Sequence, residues 1–347
     1  MTAFRSAPLR RTSWVVVLAV TMGTGAPRAL HAPGVPAPRA PEGAPRIREF
    51  VIPRAGAFPH DPAVGPDGVV WYTDQANSAI GRLDPVTGRI TDYPTPTPAS
   101  GPHGIVVAPD GAVWYTGNAA GRIGKLDPAT GRITEFVLPA EARDPHTPAL
   151  QGGKVWFTAQ QSNIIGVLDP ATGKATLFRP RTAHAKPYGL VPATGTPDLW
   201  AALFGTNRLA HIVAATGAIH EIALPHADAR PRRLVVDSTG HVWYTDYARS
   251  YLGMVDTRTH AMKEWPTPST NAGPYGIAVG PDGRIWFDEA RTSQMVAFDP
   301  RTEKMETLPI PTKGAIVRNI AVDPVRRRIW LALSGTGRIG MIDLGVE

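Results

Sequence analysis

The stretch that decides the fold is Gly104–Phe136, GIVVAPDGAVWYTGNAAGRIGKLDPATGRITEF. It holds four short segments of strand-like composition: Ile105–Ala108 (IVVA), Ala112–Thr116 (AVWYT), Arg122–Asp127 (RIGKLD) and Arg132–Phe136 (RITEF). Asp110 and Gly111 between the first two segments are a hairpin signal. Gly131 closes the turn after the third segment, where a positive φ is needed. The pattern predicts four consecutive antiparallel strands.

This unit repeats along the chain, and a tryptophan in its second strand marks each copy. The seven tryptophans are Trp71, Trp114, Trp156, Trp200, Trp243, Trp286 and Trp330. Their spacings of 42 to 44 residues match one four-stranded blade of a β-propeller. We therefore expect these tryptophans to pack between blades as core residues.

The two ends of the chain predict how the ring closes. The last repeat stops at Arg338–Leu344 (RIGMIDL), a third strand with no fourth after it. Arg48–Val51 (REFV) near the start resembles the fourth-strand sequence Thr134–Val137 (TEFV). The predicted fold is an all-β, seven-bladed β-propeller of four-stranded blades, in which an N-terminal strand completes the C-terminal blade and leaves no open edge.

The N-terminal residues predict export. Basic residues precede the apolar run Trp14–Val20 (WVVVLAV), which is typical of a signal peptide and too short for a membrane span. We assign residues 1–32 to a signal peptide, 33–46 to a Pro/Ala-rich linker and 47–347 to the propeller. The expected product is periplasmic or extracellular, monomeric and without a membrane span once the signal is removed.

Charge and cysteine content exclude several function classes. Residues 1–46 hold six arginines and one acidic residue, which leaves 30 basic and 28 acidic side chains in the remainder. That near balance argues against a nucleic-acid partner. The absence of cysteine excludes disulfides, thiolate metal ligands and a cysteine nucleophile.

The blade geometry predicts where a binding site lies. The start of each first strand and the end of each second strand should converge on the central axis, where a rigid scaffold presents function. The first of these rings comprises His60, His103, His146, Tyr188, Arg232, Tyr275 and Arg318. The second, taken three residues beyond each tryptophan, comprises Asp74, Gly117, Ala159, Leu203, Asp246, Glu289 and Leu333. We expect a ligand-binding site at this channel mouth.

The repeat, written G-P-H/Y-G-I…P-D-G…W-F/Y-T…I-G-x-L-D…T-G-x-I-T-E-F, resembles that of the virginiamycin B lyase (streptogramin lyase) family. The resemblance runs from Arg46 to Glu347 and is clearest at Gly101–Phe136 and Gly273–Glu289. It implies a seven-bladed propeller that holds a small cyclic ester or peptide ligand at the channel mouth and opens a cyclic depsipeptide by elimination. It also implies that Mg²⁺ polarises the ester while a histidine removes the proton α to a carbonyl.

The family's catalytic residues lie in its last two blades, and this chain departs from them there. It has Tyr275, then Ile316–Arg318, then Leu333 or Ser334 in the corresponding places. A ring has no physical beginning, so the same set of residues can be moved by three blades without a change of geometry. In that rotated register the family's catalytic residues match this chain better. The matching residues are His103 in a Pro-His motif, Asp144 and His146 in Asp-Pro-His, Tyr188 in Pro-Tyr-Gly, and Gln160 in place of a metal-binding glutamate.

Three functions remain open at this point. The first is an Mg²⁺-dependent carbon–oxygen lyase with His146 as base, His103 and Tyr188 positioning the substrate, and Asp144 with Gln160 holding the metal. The second is a metal-dependent lactonase, in which a metal-bound water attacks near Asp74, Asp246 and Glu289. The third is a non-catalytic propeller that binds a peptide, glycan or protein in the cell envelope.

Overall fold

The computed structural model describes residues 45–345. The predicted signal peptide, nearly all of the predicted linker and the last two residues lie outside this range. Within it, every strand belongs to one of seven four-stranded antiparallel sheets. The all-β, seven-bladed propeller predicted from the sequence is confirmed.

The strands follow the chain from the centre of the disc to its rim. Blade 1 is β2 (Pro59–Val64), β3 (Val70–Asp74), β4 (Ala79–Leu83) and β5 (Ile90–Pro94). Blade 2 is β6 (Pro102–Val107), β7 (Val113–Gly117), β8 (Arg122–Leu126) and β9 (Ile133–Val137). Blade 3 is β10 (Pro145–Gln151), β11 (Lys154–Ala159), β12 (Ile164–Asp169) and β13 (Lys174–Phe178). Blade 4 is β14 (Pro187–Pro192), β15 (Leu199–Leu203), β16 (Arg208–Val213) and β17 (Ala218–Ala223).

The remaining blades repeat the same plan. Blade 5 is β18 (Pro231–Val236), β19 (His241–Asp246), β20 (Tyr251–Asp256) and β21 (Met262–Pro266). Blade 6 is β22 (Pro274–Val279), β23 (Ile285–Glu289), β24 (Gln294–Asp299) and β25 (Lys304–Pro309). Blade 7 is β26 (Val317–Asp323), β27 (Arg328–Leu333), β28 (Arg338–Asp343) and β1 (Arg46–Val51). Single turns of 3₁₀ helix lie at Ala140–Ala142 and Ser334–Thr336.

The N-terminal strand closes the ring as predicted. β1 pairs antiparallel with β28, from Arg46 opposite Asp343 to Val51 opposite Arg338. Phe50 is buried, and its ring centroid lies 5.9 Å from that of Trp330. The first and last parts of the sequence thus share one sheet and one hydrophobic cluster.

The core consists of apolar layers between neighbouring blades. All seven repeat tryptophans are at most 5% exposed, which confirms their predicted role in packing. Gly124 shows why the third strand needs glycine: a Cβ there would lie 2.1 Å from ring atoms of Tyr115. None of the described residues forms a helix long and apolar enough to span a bilayer.

Candidate functional site

The innermost strands bring one side chain from each blade to the channel mouth. All seven residues of the first predicted ring line one cavity of about 260 Å³, so their predicted convergence is confirmed. Four further residues complete its lining: Phe58, Gln75, Asn118 and Gln160. Each ring residue is the second of its strand, which places equivalent side chains side by side around the axis.

Four of these side chains form a continuous row of rings, tilted by 41 to 53° from one to the next, which we call the stack. The centroid of His103 lies 3.7 Å from that of His60 and 3.7 Å from that of His146. The centroid of Tyr188 lies 3.9 Å beyond that of His146. All four are at least 95% buried as residues. The predicted catalytic residues His103, His146 and Tyr188 therefore contact one another, and His60 extends the stack.

The three imidazoles have different polar partners. Nδ1 of His60 lies 3.0 Å from Oδ1 of Asp61, and Nδ1 of His146 lies 3.0 Å from the hydroxyl of Thr147. Nδ1 of His103 is buried without a hydrogen-bond partner. An ionised carboxylate can only accept a hydrogen bond, so His60 donates from Nδ1–H to Asp61. The Nε2 atom of the neutral ring then carries a lone pair that can accept a proton.

Burial controls the protonation of this stack. It lowers the pKa of His60 and, with the neighbouring imidazoles, lowers the pKa values of His103 and His146 well below the ordinary value. Burial also raises the pKa of the Tyr188 phenol above its ordinary range. At neutral pH the mouth therefore presents three uncharged imidazoles and a protonated phenol.

An ion pair crosses the channel beneath the stack. Nη2 of Arg233 lies 2.8 and 2.9 Å from the two carboxylate oxygens of Asp61. Burial alone would raise the pKa of Asp61, but the guanidinium holds it well below its usual range. This pair also borders a second channel cavity of about 380 Å³, which has a largely apolar lining.

Aromatic side chains surround the mouth arginine Arg232. Its Cζ lies 3.9 Å from the ring centroid of Tyr275, and the rings of Tyr188, Phe204 and Tyr247 lie within 4.9 Å. Its Nη2 donates to the Tyr188 hydroxyl at 3.1 Å. The Tyr188 and Tyr275 hydroxyls also hydrogen-bond to each other. Arg232 thus fixes the orientation of Tyr188.

The two predicted metal ligands lie in different surroundings. Gln160 lines the mouth. Asp144 does not line it, because its carboxylate accepts hydrogen bonds from the backbone amides of Gln161 and Ser162 and from the Ser162 hydroxyl. An ion bound by Asp144 and Gln160 would have to compete with these hydrogen bonds.

The described lining of the mouth contains no carboxylate, the ligand type that Mg²⁺ usually takes from a protein. His60, Asp61 and His103 do present ligand atoms within 4.8 Å of one another. There, however, Arg233 already holds both oxygens of Asp61. In this arrangement neither donor set fits Mg²⁺ well.

The second predicted ring is displaced by one residue. The carboxylates of Asp74, Asp246 and Glu289 are fully buried and accept hydrogen bonds from backbone amides of the segments that lead into their blades. Three residues that stand four positions beyond a repeat tryptophan line the mouth instead: Gln75, Asn118 and Gln160. Neighbouring side chains of a strand point in opposite directions, so placing the ring three positions beyond each tryptophan was wrong.

The model of the virginiamycin B lyase family matches residues 41–202 and 182–347. The chain belongs to this family. The resemblance read from the repeat is therefore confirmed at the level of family and fold. No curated protein matches the chain.

Solved structures agree with this assignment. Selenomethionine-substituted virginiamycin B lyase from Staphylococcus aureus is 26% identical with a TM-score of 0.80, over 86% of this chain and 99% of that one. A streptogramin B lyase structure is 27% identical with a TM-score of 0.80, over 87% of this chain and 98% of that one. An inactive histidine-to-alanine variant of the S. aureus enzyme with quinupristin is 24% identical with a TM-score of 0.80, over 86% and 99%.

Sequence reasoning placed His60 in the ring but gave neither it nor Asp61 a role in the site. A signal was available, because Asp61 and Arg233 are opposite charges at equivalent positions of two inner strands. Asp61 and Arg233 are the third residues of β2 and β18, and their side chains line the same channel. Aligning the repeats could therefore have predicted that Asp61 pairs with Arg233 and lies beside His60.

Proposed function

We propose that this member of the virginiamycin B lyase family opens a cyclic ester or depsipeptide by elimination at the channel mouth. The supporting observation is the stack of three uncharged imidazoles and a protonated phenol that line one cavity at the channel mouth. Uncharged imidazole is the form that removes a proton, and histidine serves this role near neutral pH.

The base is His146, as expected from the sequence, or His60, whose Nδ1 is held by Asp61. A carboxylate that holds Nδ1–H fixes the tautomer and leaves Nε2 to accept a proton. Separate variants at the two positions distinguish them.

The elimination balances without water. The imidazole takes the proton from the carbon α to a carbonyl, and that electron pair forms the new carbon–carbon double bond. The adjacent carbon–oxygen bond breaks, and its electrons leave with the ester's carboxylate. In this proposal the protonated Tyr188 hydroxyl, which accepts a hydrogen bond from Arg232, stabilises charge that develops on the carbonyl oxygen.

Magnesium binding by Asp144 and Gln160 stays a prediction, and no step above depends on it. Calorimetric titration of Mg²⁺ into the wild type and Asp144→Ala tests it. Binding that the substitution abolishes would support these ligands. No binding, or binding unchanged by the substitution, would reject them.

Export is also proposed from residues 1–32, which lie outside the described part of the chain. Cell fractionation with N-terminal sequencing of the mature protein tests it. Sedimentation of that product tests whether it is monomeric. A full-length protein retained in the cytoplasm would reject export.

Product mass tests the proposed reaction. With quinupristin as substrate, elimination gives a linear product of unchanged mass, whereas hydrolysis adds one water. An unchanged mass with a new double bond supports the lyase. A mass increased by one water supports the lactonase, and no product with quinupristin or related cyclic esters favours the non-catalytic binding module.

A further inference from the structure

Two arginines at the channel mouth have no ion-pair partner among the described residues, and burial raises the pKa of the nearby Asp288 carboxyl group well above its ordinary value. Arg232 and Arg318 both line the cavity, and no ion pair joins either of them to a carboxylate within residues 45–345. The Nε atom of each is buried without a hydrogen-bond partner. Other arginines of the fold, such as Arg233 and Arg249, are paired with carboxylates.

The two guanidinium groups share one aromatic neighbour, the Tyr275 ring. The Cζ of Arg232 and that of Arg318 lie 3.9 and 5.7 Å from the ring centroid of Tyr275. The Cζ of Arg318 also lies 5.7 Å from the ring centroid of Phe58. Stacking on rings supports a guanidinium but leaves many of its N–H donors available.

The charge of the mouth is therefore positive. Its described lining contains two guanidinium groups and no carboxylate. The three histidines add no charge near neutral pH, because burial lowers their pKa values. Asp61 below them is already neutralised by Arg233. A cavity of one sign with low-dielectric walls concentrates its counter-ion.

We propose that the channel mouth is a carboxylate-binding site in which Arg232 and Arg318 receive an acidic ligand. A planar guanidinium matches a carboxylate through paired N–H···O hydrogen bonds. The cavity of about 260 Å³ suits a small organic acid, a sugar acid or the acidic end of a peptide. The inference concerns binding alone and goes beyond the proposed elimination.

Calorimetry at low salt tests this site, with citrate and galacturonate as probes and trimethyl citrate as the uncharged counterpart of citrate. We expect saturable binding of at least one acid, none of the ester, and weakening at higher salt. Arg318→Gln and Arg232→Gln should each weaken binding about tenfold or more, the effect of losing a hydrogen bond between charged groups. Arg301→Gln should leave binding unchanged, because this arginine is 86% exposed and lies outside the mouth.

Thermal unfolding of each variant checks that it is folded. Arg318 has fewer ring contacts than Arg232, so its variant keeps the test valid if Arg232→Gln unfolds. The absence of saturable binding by both acids, or binding that Arg318→Gln leaves unchanged, would overturn the inference. Either result leaves the elimination untouched, because product mass measures that separately.

Discussion

Arg233 and Asp61 form an ion pair across the central channel, in which Nη2 of Arg233 lies 2.8 and 2.9 Å from the two carboxylate oxygens. They belong to blades 5 and 1, and 172 residues separate them in the sequence. Both are at most 5% exposed. This pair links two distant blades and holds the carboxylate that orients His60.

Breaking this pair should destabilise the propeller. Arg233→Met leaves the Asp61 charge buried and unpaired, which costs about 3–5 kcal/mol in the free energy of unfolding. The double variant Asp61→Leu/Arg233→Met should recover much of the loss, because it leaves no unpaired charge. Urea unfolding measures both, with Arg301→Met as the exposed control. An Arg233→Met protein as stable as the control would show that the pair contributes little.

Asp288 replaces a threonine that recurs in the second strands. Four of these threonines donate to a main-chain oxygen of the next blade, 30 residues ahead: Thr73, Thr116, Thr158 and Thr245. Asp288 accepts from the Gly276 amide at 2.6 Å, and its Oδ2 is buried without a partner. By the same spacing, a protonated Asp288 would donate to the Arg318 oxygen. Burial raises its pKa well above 3.8, which favours that form.

Asp288 should therefore make the fold less stable as pH rises. The folded state binds this proton more tightly than the unfolded state, so stability is lost from about pH 3.8 up to the raised pKa. Asp288→Thr should be more stable than the wild type at neutral pH, with a flatter profile. Asp288→Asn is the second variant, because asparagine has nearly the shape of aspartate but does not titrate. Parallel pH profiles of the melting temperature for the wild type and both variants would contradict this role.

The histidine stack should act in the opposite direction. Burial lowers the pKa of His103 well below 6.5, so the unfolded chain takes up a proton that the folded chain excludes. Stability should therefore fall as the pH drops below about 6.5. His103→Gln should weaken that dependence, whereas the exposed His220→Gln should not. Equal acid sensitivity in all three proteins would mean that other groups control it.

Ring closure by the N-terminal strand has its own test. Phe50 is 6% exposed and packs against Trp330, so Phe50→Ala should cost about 3–5 kcal/mol in the free energy of unfolding. Val51→Ala in the same strand is the control, because Val51 is 60% exposed. Urea unfolding measures both. A small, equal effect would indicate that β1 adds little to closure.

The fold could be predicted because one unit repeats seven times with strong turn and tryptophan signals. The first ring followed from the same alignment, since each strand start is marked by its proline or valine. The second ring failed by one residue, because the exact end of a strand decides which side chain faces the channel. The surroundings of the Asp144 carboxylate could not be predicted either, because the amides of Gln161 and Ser162 that donate to it belong to a loop.

The most direct test of the central claim, that an uncharged imidazole of the stack removes the proton, is the initial rate of quinupristin ring opening. His60→Ala, His146→Ala and the exposed control His220→Ala are compared with the wild type. The account predicts a loss of about 10²- to 10⁴-fold in His60→Ala or His146→Ala and none in His220→Ala. Wild-type rates in both stack variants would contradict it.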